Sequence, residues 1–266
     1  MIALLVLVLY TGLMFVAPAA CAQVSPEIDA ILTDLEKKGD EIHDLRCELE
    51  YRIDDRINLD VLTKYGDIRF KRAQPHDMFL IRFHKLVQDD IPINKKEWYL
   101  FKNRWLWEAK QRTTTIIKRE IVAEGEKVNL FDVETAPFPV PFGQKKENIL
   151  KNFSVSLSAP AEGDPEGTDH LVCTPKPKTQ MAKDYQKLEF YVSRKTRLPV
   201  RIIATELGGK KVTTAAFGNV ETDSGLTDKD FAEPAEWKQY SLITEPLPKP
   251  ADPLSSSGVN KHGPEE

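Results

Sequence analysis

The chain has 266 residues, 29% of them charged, and a formal net charge of −4. A mildly acidic chain without a basic stripe carrying interleaved aromatics has no bulk attraction for nucleic acid, which excludes that class of partner. Its length suits one β domain as well as two small ones.

The first residues predict export. Ile2 to Val16 is a nearly unbroken apolar run, followed by Ala17-Pro18-Ala19-Ala20-Cys21-Ala22. Small residues at Ala20 and Ala22 fit cleavage before Gln23. No Lys or Arg precedes the run, so a retained anchor is a second reading. Lipid attachment at Cys21 is a third, although Pro18 stands where such a site prefers Leu or Val. The expected division is a signal peptide over 1–22, a folded domain over 23–237 and a disordered Pro/Ser-rich tail over 238–266.

The mature chain opens with a helix. Ser25 is placed to cap it, Pro26 suits the first helical position, and Glu27 complements the helix dipole. Ile28, Ile31, Leu32 and Leu35 fall on one stripe, and Gly39 is expected to end the helix. The period then changes to two. Leu45, Cys47, Leu49, Tyr51 and Ile53 alternate with charged residues, which predicts a strand with one apolar and one solvated face. Further strands are expected through 66–72, 78–87, 97–101, 104–109, 113–123, 153–157, 170–174, 188–192, 198–204 and 212–220. A turn at Lys102-Asn103 makes a hairpin of two of them. The prolines of Thr135 to Gly143 rule out an interior strand there, yet the segment is apolar. A short helix is expected at Lys146 to Asn152. About ten short strands and one clear helix predict a mainly β protein built on an antiparallel sheet or barrel.

A search for chemistry finds no constellation. His43, His76, His84, His170 and His262 are not spaced to share a metal, and no nucleophile elbow, dinucleotide fingerprint or phosphate loop is present. The expectation is a non-enzymatic protein without cofactor or metal. Cys47 and Cys173 are open to two readings, a disulfide or two buried free thiols. The strands are rich in large apolar side chains: Phe70, Phe79, Ile81, Phe83, Trp105 and Trp107. Most of them suit a core, but one helix cannot cover so much apolar face. A second sheet face, the Pro-Phe segment or a ligand must cover the remainder. By period two, Arg72 falls on the apolar side beside Phe70 and Ile68. There it either swings into water at the strand end or bonds the carbonyls of a movable cover at a cavity rim.

These residues resemble the periplasmic lipoprotein carriers, the LolA-like family. The resemblance lies in Gly66-Asp67-Ile68-Arg69-Phe70-Lys71-Arg72, in Leu171-Val172-Cys173-Thr174-Pro175-Lys176, and in the closing run Leu188 to Val200, Phe217-Gly218-Asn219-Val220, Leu226 and Phe231 to Pro234. It covers roughly residues 25 to 235. The resemblance implies an incomplete antiparallel β-barrel around an apolar cavity, closed by a lid, here placed at Pro137 to Phe142. It implies a periplasmic monomer whose partners are acylated lipoproteins or lipids together with membrane partner proteins, and it places the family's lid-bonding arginine on Arg72. A sensor or binding module on the same fold, or an envelope structural protein with a filled core, are the alternatives.

Overall fold

The computed structural model describes residues 24–126 and 143–247. Helix α1 spans Pro26–Glu41, and the Ser25 hydroxyl accepts a hydrogen bond from the Ile28 amide at 3.3 Å. That satisfies one of the donors that the first helical turn leaves open. Ile28, Ile31, Leu32 and Leu35 are its buried stripe. Gly39, expected from the sequence to end the helix, instead sits inside it, two residues before the end. Its reason is contact: a Cβ there would lie 2.3 Å from the Cα of Gly143. Two backbones meet where any side chain would separate them.

One sheet carries everything else. Its strands are β1 (Asp44–Asp55), β2 (Asp60–Lys71), β3 (Met78–Gln88), β4 (Ile91–Ile93), β5 (Glu97–Lys102), β6 (Trp105–Lys110), β7 (Thr115–Glu120), β8 (Phe153–Ser158), β9 (Thr168–Pro175), β10 (Tyr185–Ser193), β11 (Pro199–Glu206), β12 (Lys211–Thr222) and β13 (Ser241–Glu245). The order across the sheet is β13-β7-β6-β5-β3-β2-β1-β12-β11-β10-β9-β8, with β4 attached to β3. Neighbours pair antiparallel except β13, which runs parallel to β7. Among the described residues the sheet does not close on itself, so the architecture is the incomplete barrel expected, with thirteen strands there rather than about ten. Two short helices, α2 (Lys146–Asn152) and α3 (Met181–Asp184), complete the regular elements together with 3₁₀ turns. Strand β13 lies beyond Trp237, so the folded region extends at least to Glu245 and the tail drawn from 238 begins too early. The segment Pro137 to Phe142, expected to form a lid, lies outside the described residues.

Alternation along the strands assigns the two faces. On the inner face, α1 and α2 pack over β8, β9 and β10 through Leu32, Leu35, Ile149, Leu171, Phe190 and Val192. The same face of β1, β2, β3, β5 and β6 carries a second cluster, with Leu45, Phe70, Phe79, Phe83, Phe101 and Leu106 buried. Among the described residues the outer face is covered only in part. There Leu80, Trp98, Leu100 and Ala109 pack against Phe231 and Trp237 from the chain that follows β12. The Asp44 carboxylate directs that chain: it accepts hydrogen bonds from the amides of Ser224, Gly225 and Leu226 at 2.8, 3.0 and 3.2 Å. A charge bonded by three amides fixes the turn that carries residues 226–240 to the outer face.

Candidate functional site

Between the two inner clusters the described residues leave the sheet unfilled. Beside β1, strands β11 and β12 bring small residues to the apolar phase: Ala204 on β11, and Thr213 and Ala215 on β12. Their registers place Ala215 between Tyr51 and Ile202, and Thr213 between Ile53 and Ala204. The result is a cavity of about 310 Å³. That is the lower end of the range for small-molecule sites, which suits one narrow ligand rather than several. Leu49, Ile68, Ile81, Ile202 and Phe217 line its interior.

The lining is graded. Toward the strand ends the wall becomes polar, with Tyr51, Tyr185, Thr213, Glu206 and Lys211. The Lys211 ammonium lies 3.3 Å from the Glu206 carboxylate, both of them about three-fifths buried at the mouth. Burial raises the Tyr51 phenol, and the neighbouring Tyr185 pushes it the same way, while a hydrogen bond with Thr213 opposes them. Burial also raises Tyr185. Both phenols therefore stay neutral donors at ordinary pH. The arrangement offers dispersion contacts inside and hydrogen-bonding groups plus an ion pair at the opening. It contains no nucleophile–base pair, and among the described residues no group of three or more His, Cys, Asp or Glu is placed to hold a metal.

The residues singled out from the sequence divide among three places. Ile81 lines the cavity. Phe70, Phe79 and Phe83 lie on the same face but inside the packed cluster beside it, where Phe79 stacks on Phe101 and Phe83 meets Tyr51 and Tyr99. Trp105 and Trp107 are elsewhere. Asn103 and Arg104 both have positive φ and form a two-residue turn, so Lys102 pairs with Trp105 and Leu100 with Trp107. That register puts both tryptophans on the outer face, where the Lys118 ammonium sits over the two rings at 4.6 and 5.1 Å. Their assignment to the cavity side is corrected by the hairpin register.

Arg72 follows Phe70 in phase and does not swing into water. Its Nε donates to the Ile42 carbonyl and one terminal nitrogen to the Gly39 carbonyl, both at 2.8 Å, and its guanidinium lies 5.9 Å from the Phe70 ring centre. It thus grips the last carbonyls of α1, where a cation also complements the helix dipole. Lys145 strengthens the same region from the other side, with salt bridges of 3.2 Å to Glu36 and 2.7 Å to Asp40. Cys47 and Cys173 are free buried thiols in different clusters, so of the two readings the disulfide is overturned. Burial pushes each thiol up to about 12.

Sequence reasoning passed over Tyr51, Tyr185, Ile202, Ala204, Thr213, Ala215 and Phe217 as site residues. The signal was present in part: alanine and threonine at consecutive apolar-phase positions of β11 and β12 leave space that a larger aliphatic would fill. A larger hollow of about 780 Å³ lies on the outer face, but Arg46, Glu48, Asp67, Arg69 and Arg82 line it. It is a solvated charged surface and offers no shelter to an apolar group.

No family model matches the sequence, and neither does any curated protein. Solved structures do match in fold. An uncharacterized conserved protein from Thermus thermophilus shares 13% identity, with 82% of this chain and 99% of that one covered and a TM-score of 0.48. LprF from Mycobacterium bovis shares 13%, covering 79% and 98% with a TM-score of 0.42. A LolA superfamily protein from Nitrosomonas europaea shares 14%, covering 77% and 97% with a TM-score of 0.36. Of these three, the protein from Nitrosomonas europaea bears the LolA superfamily name. With identities this low and TM-scores below 0.5, the chemistry of the site is argued from the chain's own geometry alone.

Proposed function

We propose that the cavity takes up an apolar chain of a lipid or an acylated lipoprotein, and that the protein carries this cargo through the periplasm toward the outer membrane. The supporting observation is the graded wall: aliphatic and aromatic inside at Leu49, Ile68, Ile202 and Phe217, polar at the mouth with Tyr51, Tyr185 and the Glu206–Lys211 pair. An amphiphile matches that gradient end for end. Each buried methylene contributes about 0.8 kcal/mol, so a chain binds without any covalent chemistry and leaves when a better apolar phase is offered. Arg72, by holding Gly39 and Ile42, is the latch between the sheet and the end of α1. A cargo that lifts this helix end would have to replace those two bonds.

Delipidated protein and a fluorescent acyl probe provide the test. Saturable binding is expected, weakened about tenfold or more by Ala215→Phe, because a phenyl ring would occupy the space between Tyr51 and Ile202. The variant must keep the wild-type circular dichroism spectrum. A folded wild-type protein that binds no acyl probe overturns the proposal.

A further inference from the structure

Three turns lie at the end of the sheet toward which the cavity wall becomes polar. The β1–β2 turn carries Ile57 and Leu59, exposed to 64% and 86%, Ile91 follows the β3–β4 turn at the start of β4 at 67%, and the β11–β12 turn carries Leu207 at 54%. Large aliphatics this exposed gain nothing for the fold. The backbone nevertheless fixes them in one rim. The Arg56 amide donates to the Lys210 carbonyl at 2.9 Å, which ties the first turn to the third. The Asp89 amide donates to the Val61 carbonyl at 3.0 Å, and the Val61 amide donates back to the Asp89 carboxylate at 3.0 Å, which ties the first to the second. Within the first turn the Asp55 carboxylate accepts from the amides of Ile57 and Asn58, each at 3.0 Å. Leu59 and Asp89 hold left-handed backbone with φ of 54° and 46°. A non-glycine residue in that conformation costs stability, so the turns are kept in shape by their bonds rather than by preference.

We infer that this rim docks the protein on the surface of a lipid bilayer, with Ile57, Leu59, Ile91 and Leu207 entering the interface. Three observations favour a bilayer over a protein partner. The tips are aliphatic and stand on separate turns, whereas the anchors of protein interfaces are mostly Trp, Tyr and Arg on a continuous patch. The polar end of the cavity lies beside the first and third of them: Asp55 pairs with Lys211, and Ile53, Glu206 and Lys211 line the cavity at the strand ends that carry those two turns. A chain leaving hydrocarbon at this rim would reach the cavity without crossing water. Finally, the turns together with the strand ends that flank them carry Asp54, Asp55, Asp60, Asp89, Asp90 and Glu206 against Arg56, Lys210 and Lys211. An acidic rim specifies a zwitterionic surface, since anionic headgroups would repel it.

The inference draws its purpose from the cavity reading, but its test does not depend on it. The chain from Gln23 onward, free of the apolar run at its start, would be mixed with phosphatidylethanolamine–phosphatidylcholine vesicles and floated on a density gradient. Co-flotation is expected, falling about tenfold in Leu59→Ser/Ile91→Ser and falling also when phosphatidylglycerol replaces part of the lipid. The same variant should bind the acyl probe like wild type, since its substitutions lie outside the cavity and are exposed. Wild-type protein that stays with the soluble fraction overturns the inference, as does a double variant that floats equally well. Failure of probe binding with flotation intact would instead remove the cargo reading and leave the rim standing.

Discussion

The two halves of the inner face are finished differently. Over β8, β9 and β10 the strands present large side chains, Leu171, Phe190 and Val192, and α1 lays Leu32 and Leu35 directly onto them. Beside β1, strands β11 and β12 present Ala204, Ala215 and Thr213, and a cavity remains. Both halves belong to one continuous sheet with the same hydrogen-bonded backbone. What differs is side-chain volume at positions of equal phase, so the sequence chooses between core and container at a handful of residues. Packing at native density stabilises the first half; the second gives up that contribution and gains room.

Large-to-small substitutions would break this comparison if the two halves responded alike. Leu35→Ala, beneath α1, should lower stability by about 2–5 kcal/mol in urea unfolding, because a new void forms in a closed core. Ile202→Ala, at a wall that already borders space, should cost less than about 2 kcal/mol. Equal losses would mean that the cavity region is as tightly filled as the helix-covered one.

Arg72→Leu comes next in size. It removes two charge-assisted bonds to the end of α1, and a loss of about 2–3 kcal/mol is expected, with faster amide hydrogen exchange concentrated near residues 39–42. Uniform exchange across α1 would count against the latch. Gly39→Ala tests the backbone contact with Gly143. Alanine favours a helix by about 1 kcal/mol over glycine, but here its methyl would meet backbone that cannot rotate away. The variant should therefore be destabilised by about 1–3 kcal/mol in thermal or chemical unfolding.

The last effect is confined to alkaline pH. Burial raises Cys47 and Cys173 to about 12 in the folded protein, from an ordinary value of 9.0. The folded state then holds these protons more tightly than the unfolded one. Their contribution is full below about pH 9 and is lost as the pH rises from there through 12. Native protein should resist thiol reagents at pH 8 and react at both cysteines once unfolded. A pair that fails to react even after unfolding would point back to a disulfide.

Much of the fold was legible because it rests on alternation. The phase of Leu45 to Ile53, the stripe of α1 and the helix at Lys146–Asn152 follow from local pattern, and the structure repeats them. The position of Arg72 on the apolar side was legible for the same reason. What local pattern does not carry is register. Trp105 and Trp107 read as cavity residues until the turn at Asn103 and Arg104 pairs them with Lys102 and Leu100 on the outer face. The cavity itself depends on Tyr51, Ile202 and Ala215 meeting across three strands that are distant in the chain. Strand β13 escaped because Ser241–Glu245 is exposed at every position and lacks the alternation of a half-buried strand.

Native mass spectrometry of protein expressed from the full-length chain and purified without detergent tests the central claim most directly. The expected result is an adduct in the mass range of an acylated molecule, removed by delipidation and missing from Ala215→Phe. A bare polypeptide mass for the wild type, from cells in which acylated molecules are abundant, would contradict it.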